Sequence, residues 1–182
     1  MGGPRRNLEL KARDADPERS LEVCEGLGAE SKGVLVQEDT YFNVFQGRLK
    51  LRREEGASAH LIAYERADVA GQRKSRYRIV EVSDAPELRA ALAAVLGIVA
   101  VVRKTRRLFV LQDVRIHLDR VEGLGGFIEF EAVAPPGGTD LARYEARLTD
   151  LRNSFGIADA DLVGASYCDL VLDGSGSVDS SG

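Results

Sequence analysis

The segment VRIHLDRVEGLGGFIEFEAV, residues 114–133, constrains the fold more than any other part of this chain. Side chains alternate along a strand, so Arg115, His117 and Asp119 share one face while Val114, Ile116 and Leu118 take the other. Gly123, Gly125 and Gly126 supply the backbone freedom that a reversal needs. In the returning strand Glu129 and Glu131 face one side, with Ile128 and Phe130 opposite. An antiparallel hairpin results, aliphatic on one face and acidic on the other. Such a face fits the solvated side of an open sheet. Crowded together, its carboxylates ask for a cation.

The rest of the chain repeats the pattern. Residues 6–13 alternate strictly, with Leu8, Leu10 and Ala12 opposite Asn7, Glu9, Lys11 and Arg13. Asp16 and Pro17 then open a helix that Gly28 ends. Further strands are expected over 38–43, 47–54, 59–66 and 75–82, with His60 as a loop residue. Asp84 and Pro86 start a second helix that stops at Gly97, and 98–111 forms a long strand before the hairpin. After a Pro-Gly break at 135–138, a helix follows over 140–155. The segment ASYCDLVL reads as a short strand or turn, and 173–182 as a disordered tail.

About eight strands with three helices make an α+β chain that is mainly β. Their charged faces are not randomly signed. Lys11, Lys50, Arg52, Arg66, Lys104 and Arg106 offer bases, while Asp119, Glu129 and Glu131 offer acids. Closing the strands into an eight-stranded antiparallel barrel puts both sets in one lumen, which is wide enough for a single small ligand. A polyphosphate with a divalent metal satisfies both: bases grip phosphate oxygens, and carboxylates hold Mg²⁺ or Mn²⁺.

Composition agrees with this reading. At 182 residues and 44% hydrophobic, the chain suffices for one domain, taken as 1–172. A net charge of −4 argues against general nucleic-acid binding. Cys24 and Cys168 are far apart and form no CxxC pair, as expected of a reducing cytoplasm. No membrane association is expected, since no apolar run reaches the ~18 residues of a span. A homodimer is compatible with the composition. His117, on the Asp119 face, reads as a hydrogen-bonded wall residue or as a proton carrier. No Ser-His-Asp, Cys-His or P-loop arrangement points to covalent catalysis or to a P-loop nucleotide site.

Several stretches together resemble the CYTH domain family, also called triphosphate tunnel metalloenzymes. They are NLELKA (7–12), LIAYERAD (61–68) with RKS (73–75), VRKTR (102–106), HLDRVEGLGGFIEFE (117–131) and SYCDL (166–170). LIAYERAD and SYCDL are similar to the class IV adenylate cyclase branch more than to thiamine triphosphatases, so conversion of ATP to cyclic AMP and pyrophosphate is expected, with a Mg²⁺-dependent triphosphatase or phosphohydrolase and a non-catalytic polyphosphate- or nucleotide-binding module as the alternatives. The resemblance implies a closed tunnel with flanking helices, a triphosphate substrate such as ATP, and Mg²⁺ or Mn²⁺. It implies Lys11, Glu9 and Asp119 as catalytic residues, Lys11, Lys104 and Arg106 as phosphate-binding residues beside the Lys50, Arg52 and Arg66 expected from alternation, and Glu9, Asp119, Glu129 and Glu131 as metal ligands. Asn7 stands where the family's ExExK motif has its first glutamate, so one metal position here has an amide without charge.

Overall fold

The computed structural model describes residues 5–66, 70–134 and 141–175. Eight strands close into an antiparallel barrel: β1 (Arg5–Arg13), β2 (Glu30–Phe42), β3 (Arg48–Glu54), β4 (Ala59–Arg66), β5 (Arg73–Val82), β6 (Ile98–Leu111), β7 (Val114–Val121) and β8 (Gly125–Ala134). They run around the barrel in the order β1-β5-β4-β3-β2-β6-β7-β8. The alternation has a physical cause in this closure. Each strand turns alternate side chains outward, under a helix or to solvent, and inward to the lumen.

Three helices cover the outside. The first, α1 (Pro17–Gly26), starts where the Asp16 carboxylate accepts from the Arg19 N–H, with Pro17 at the first position. With α3 (Leu141–Ser154) it buries Leu8, Leu10, Phe109, Ile116, Leu118, Ile128 and Phe130 under Cys24, Leu148 and Leu151. The second, α2 (Ala85–Leu96), is capped in the same way by Asp84 and covers Phe42 and Leu51 of β2 and β3. Among the described residues, no helix is long and apolar enough to cross a membrane. Cys24 and Cys168 are free and buried, each thiol pushed up to about 11 by burial first and acidic neighbours second.

The hairpin forms as its sequence dictates, Val121 pairing with Gly125 across the turn. Gly123 and Gly125 have φ of +74° and +89°. Gly126 is needed for a different reason. The β1–α1 junction passes so close that a Cβ there would meet the Asp14 carbonyl oxygen at 2.6 Å, and this contact carries the hydrogen bond from the Asp14 N–H to the Gly126 carbonyl.

Four expectations are corrected. β2 begins at Glu30, eight residues before its expected start, behind an irregularity between Ser31 and Gly33. His60 lies in β4, not in a loop, paired with Arg52 and Glu81. ASYCDLVL is neither strand nor turn but opens a fourth helix, α4 (Tyr167–Ser175). The Ser166 hydroxyl accepts from the Asp169 N–H while the Asp169 carboxylate accepts from the Ser166 N–H, a capping box that starts α4. Residues 173–175 therefore belong to a helix and not to a tail. The expected break at 135–138 and residues 176–182 lie outside the described residues.

Candidate active site

α4 packs across one end of the barrel. Tyr167 and Cys168 join Tyr41, Ala100, Val102, Val121 and Phe127 in a single buried cluster. The Phe127 and Tyr167 rings meet edge to face at 4.9 Å. Arg48 Nη2 donates to Asp169 Oδ2 at 2.9 Å and ties the helix to β3. Above this floor lies a cavity of about 370 Å³.

Its walls are segregated by charge. Lys50 and Arg52 of β3 and Lys104 and Arg106 of β6 line one side. On the facing side β1 and β8 present Glu9, Lys11, Glu129 and Glu131, with Lys11 beside Glu129 and Glu9 beside Glu131 in register. Toward the open end the lining turns apolar, with Leu35, Ile62, Ile79 and Leu108, while Tyr64 and Tyr77 flank the β4–β5 wall. The lumen-facing residues expected from alternation are thus brought together. Arg66 is described in its backbone alone, paired with Ser75, and its side chain lies outside the described residues.

The cations are held by two buried aspartates. Asp119 Oδ1 accepts from Arg106 Nε at 2.6 Å, and Oδ2 accepts from Arg106 Nη2 at 2.6 Å, Tyr167 Oη at 2.9 Å and Lys104 Nζ at 3.2 Å. Burial pushes its carboxyl up, but Arg106 and Lys104 outweigh burial and hold it well below the usual range. This is different company from that expected of a metal ligand, because Asp119 is grouped with the bases and not with Glu129 and Glu131. Asp39 does the same for Arg52 and Lys50, accepting at 2.7 and 2.8 Å. Burial, then the positive charge of Arg106, brings Lys104 down to about 7.

On the acidic wall each carboxylate has a protein partner. Glu129 faces Lys11 Nζ at 3.6 Å and His117 Nδ1 at 3.3 Å. Burial and Arg106 lower the His117 pKa, which favours the neutral ring, and beside the Glu129 carboxylate, an acceptor, its Nδ1 is the donor. Glu131 accepts from Asn7 Nδ2 at 2.6 Å and from Arg115 Nη1 at 3.3 Å. That bond orients the Asn7 amide, whose Oδ1 is buried and has no hydrogen-bond partner. The donors available to a cation are therefore Glu9, Glu129, Glu131 and the Asn7 carbonyl oxygen. Such an all-oxygen set suits a hard divalent ion. Among the described residues, no three His, Cys, Asp or Glu side chains already converge as a metal-binding group.

Sequence reasoning missed Asp39, Gln37 and Tyr167. Leu35, Gln37, Asp39 and Tyr41 alternate onto one face, so beginning β2 earlier would have exposed Gln37, while Asp39 lay inside the expected strand 38–43 and shares its face with Tyr41. Tyr167 was hidden by reading SYCDL as a strand or turn, although its S-x-x-D spacing is a helix-start signal.

The CYTH domain model matches residues 5–166. The chain belongs to the CYTH domain family. A relative from Methanocaldococcus jannaschii, named "Putative adenylate cyclase", is 26% identical over 174 residues, covering 90% of this chain and 97% of its own. A Pyrococcus horikoshii structure superposes with a TM-score of 0.77 at 24% identity, covering 90% of this chain and 98% of that one. A Hippeastrum protein, described as a "putative adenylyl cyclase" with "a dominant" triphosphatase activity, superposes at 0.64 with 17% identity, covering 92% and 96%. These two likenesses speak to the fold. The CYTH barrel is the frame that sets bases and carboxylates face to face.

Proposed function

We propose that this protein is a divalent-metal-dependent enzyme that binds a nucleoside triphosphate in the barrel and converts ATP to cyclic AMP and pyrophosphate. The observation that carries the reading is the segregated lumen, in which a basic wall and a carboxylate wall share one cavity beneath an apolar rim. Membership of a family with adenylate cyclase-like and triphosphatase enzymes agrees with it.

In this reading Lys11, Lys50, Arg52, Lys104 and Arg106 bind the phosphate chain, and Arg66 joins them as one of the bases expected from strand alternation. Glu9, Glu129 and Glu131 with the Asn7 carbonyl would hold Mg²⁺ or Mn²⁺, which when bound neutralises phosphate charge and polarises the reacting phosphorus. Asp119 keeps Lys104 and Arg106 in place. Leu35, Ile62, Ile79 and Leu108 seat the nucleoside end and exclude water, so the ribose 3′-hydroxyl and not water reaches the α-phosphorus. The bases stabilise the leaving pyrophosphate. Hydrolysis of the terminal phosphate is the second reading, favoured by the depth at which the basic wall lies. Incubation with ATP and Mn²⁺ decides between them: cyclic AMP with pyrophosphate supports the first, orthophosphate the second, and binding without turnover defeats both.

Two further results are expected. An anion beside Lys104 raises its pKa from about 7, because the charged form gains a partner. Above that pH the free protein holds Lys104 neutral and the complex holds it charged, so binding takes up a proton and weakens as pH rises from about 7 toward the ~10.4 of a free lysine. Calorimetry at pH 8 in buffers of different ionisation heat measures the uptake, and zero uptake places the anion away from Lys104.

Asn7→Glu sets a carboxylate against Glu131 in place of the 2.6 Å hydrogen bond. The metal-free protein should melt lower and bind Mn²⁺ about ten-fold or more tightly than wild type, since a full charge replaces a neutral oxygen. Unchanged Mn²⁺ affinity would place the ion elsewhere.

A further inference from the structure

Asp39 stands apart from the acidic wall. It lies on β2, which three strands separate from β1 on either side of the barrel, so it sits across the lumen from Glu9. Its side chain is 1% exposed and wholly engaged by bases. Oδ1 accepts from Arg52 Nε and Oδ2 from Arg52 Nη2, both at 2.7 Å, and Oδ2 also accepts from Lys50 Nζ at 2.8 Å. Asp119 grips Arg106 through the same two nitrogens. In each pair the aspartate occupies the Nε edge of the guanidinium, and Nη1 makes no hydrogen bond among the described residues.

We propose that Asp39 is an internal counter-anion: it positions Lys50 and Arg52 for a phosphate chain and, by standing in for that anion in the free protein, weakens the protein's own affinity for it. The inference rests on the reading that the lumen takes a triphosphate. Two physical effects pull in opposite directions. A two-point grip fixes the plane of the guanidinium, so its remaining donors are aimed before the ligand arrives. The same carboxylate cancels part of the positive potential felt by the ligand, in a cavity where charges are poorly screened. Without Asp39, Lys50 and Arg52 face Lys104 and Arg106 with one fewer negative charge among them, and the free protein becomes less stable while its attraction for an anion grows.

A purely structural residue would lose stability on substitution without gaining affinity. Asp39 is therefore expected to show a split that a scaffold position does not. By calorimetry, Asp39→Asn should bind inorganic triphosphate three-fold or more tightly than wild type. Its melting temperature should rise further on adding that ligand, and kcat with ATP should fall ten-fold or more as Arg52 loses its orientation. Should Asp39→Asn prove unstable alone, refolding with inorganic triphosphate present recovers it. The double variant Asp39→Asn/Arg52→Gln, with the pair neutralised, should regain stability in the free state and lose the tighter binding. Wild-type or weaker triphosphate affinity in Asp39→Asn, an unchanged kcat, or failure of triphosphate to recover an unstable variant overturns the proposal. A wild-type protein that does not bind inorganic triphosphate would remove the reading beneath it.

Discussion

Glu129→Gln and Glu131→Gln are each expected to lower kcat with ATP and Mn²⁺ by two decades or more, on the order of the ~3–4 kcal/mol that a lost charge-stabilising contact costs a transition state. The substitution keeps the shape and removes the charge. Glu129 faces Lys11, His117 and Arg106 Nη2, the last at 3.9 Å, so an amide there also leaves Lys11 with a poorer neighbour. Glu131 takes the Asn7 amide and Arg115, and an amide in its place offers the Asn7 carbonyl a donor that competes with a metal ion. Mn²⁺ titration of each variant should show weaker binding in parallel with the lost turnover. Wild-type kcat in both variants, or full wild-type activity in EDTA, would overturn the metal-dependent reading.

Tyr167→Ala is expected to be the most damaging single change to the barrel floor, by ~3–5 kcal/mol of stability, the usual range for removing a buried aromatic ring. The ring packs against Phe127, lies under Lys11 Nζ at 3.9 Å and Lys104 Nζ at 5.0 Å from its centroid, and its hydroxyl donates to Asp119. Tyr167→Phe separates these contributions. It keeps the ring and removes one of four hydrogen bonds to Asp119, a loss of ~1 kcal/mol. Chemical denaturation of the two variants gives both numbers. Equal losses would mean that the hydroxyl, not the ring, holds α4 in place.

The barrel was legible in the sequence because closure turns alternate side chains outward and inward, and where a helix covers the outside and the lumen is charged, period-2 alternation records this locally. Residues 7–12 of β1, 49–52 of β3, 114–119 of β7 and 128–131 of β8 show it without interruption, while Arg53 and Arg120 face solvent and Phe127 meets Tyr167 at the floor. β2 does not, since Gly33 has a φ of +99° beside the register shift, and the first residues of the strand are charged and exposed. The set of lumen charges was legible for the same reason, but their partners were not. Arg106 meets Asp119 because β6 lies beside β7, and Lys11 meets Glu129 because β1 closes on β8, both consequences of strand order. Alternation says which way Asp119 points. It does not say that Lys104, Arg106 and Tyr167 arrive there first.

Tyr167 of α4 lies under Lys11 and Lys104 at one end of the lumen, and the apolar side chains lie toward the other. If ligands come and go past those apolar side chains, traffic is last in, first out. Under the proposed reading a triphosphate then enters tail first, toward the basic wall, and its nucleoside comes to rest nearest the rim. Under the cyclase reading, cyclic AMP must therefore depart before pyrophosphate, which lies deeper and is held by more charge. Pyrophosphate then occupies the place that the next ATP needs, and the protein would be throttled by its inorganic product while remaining nearly indifferent to its organic one.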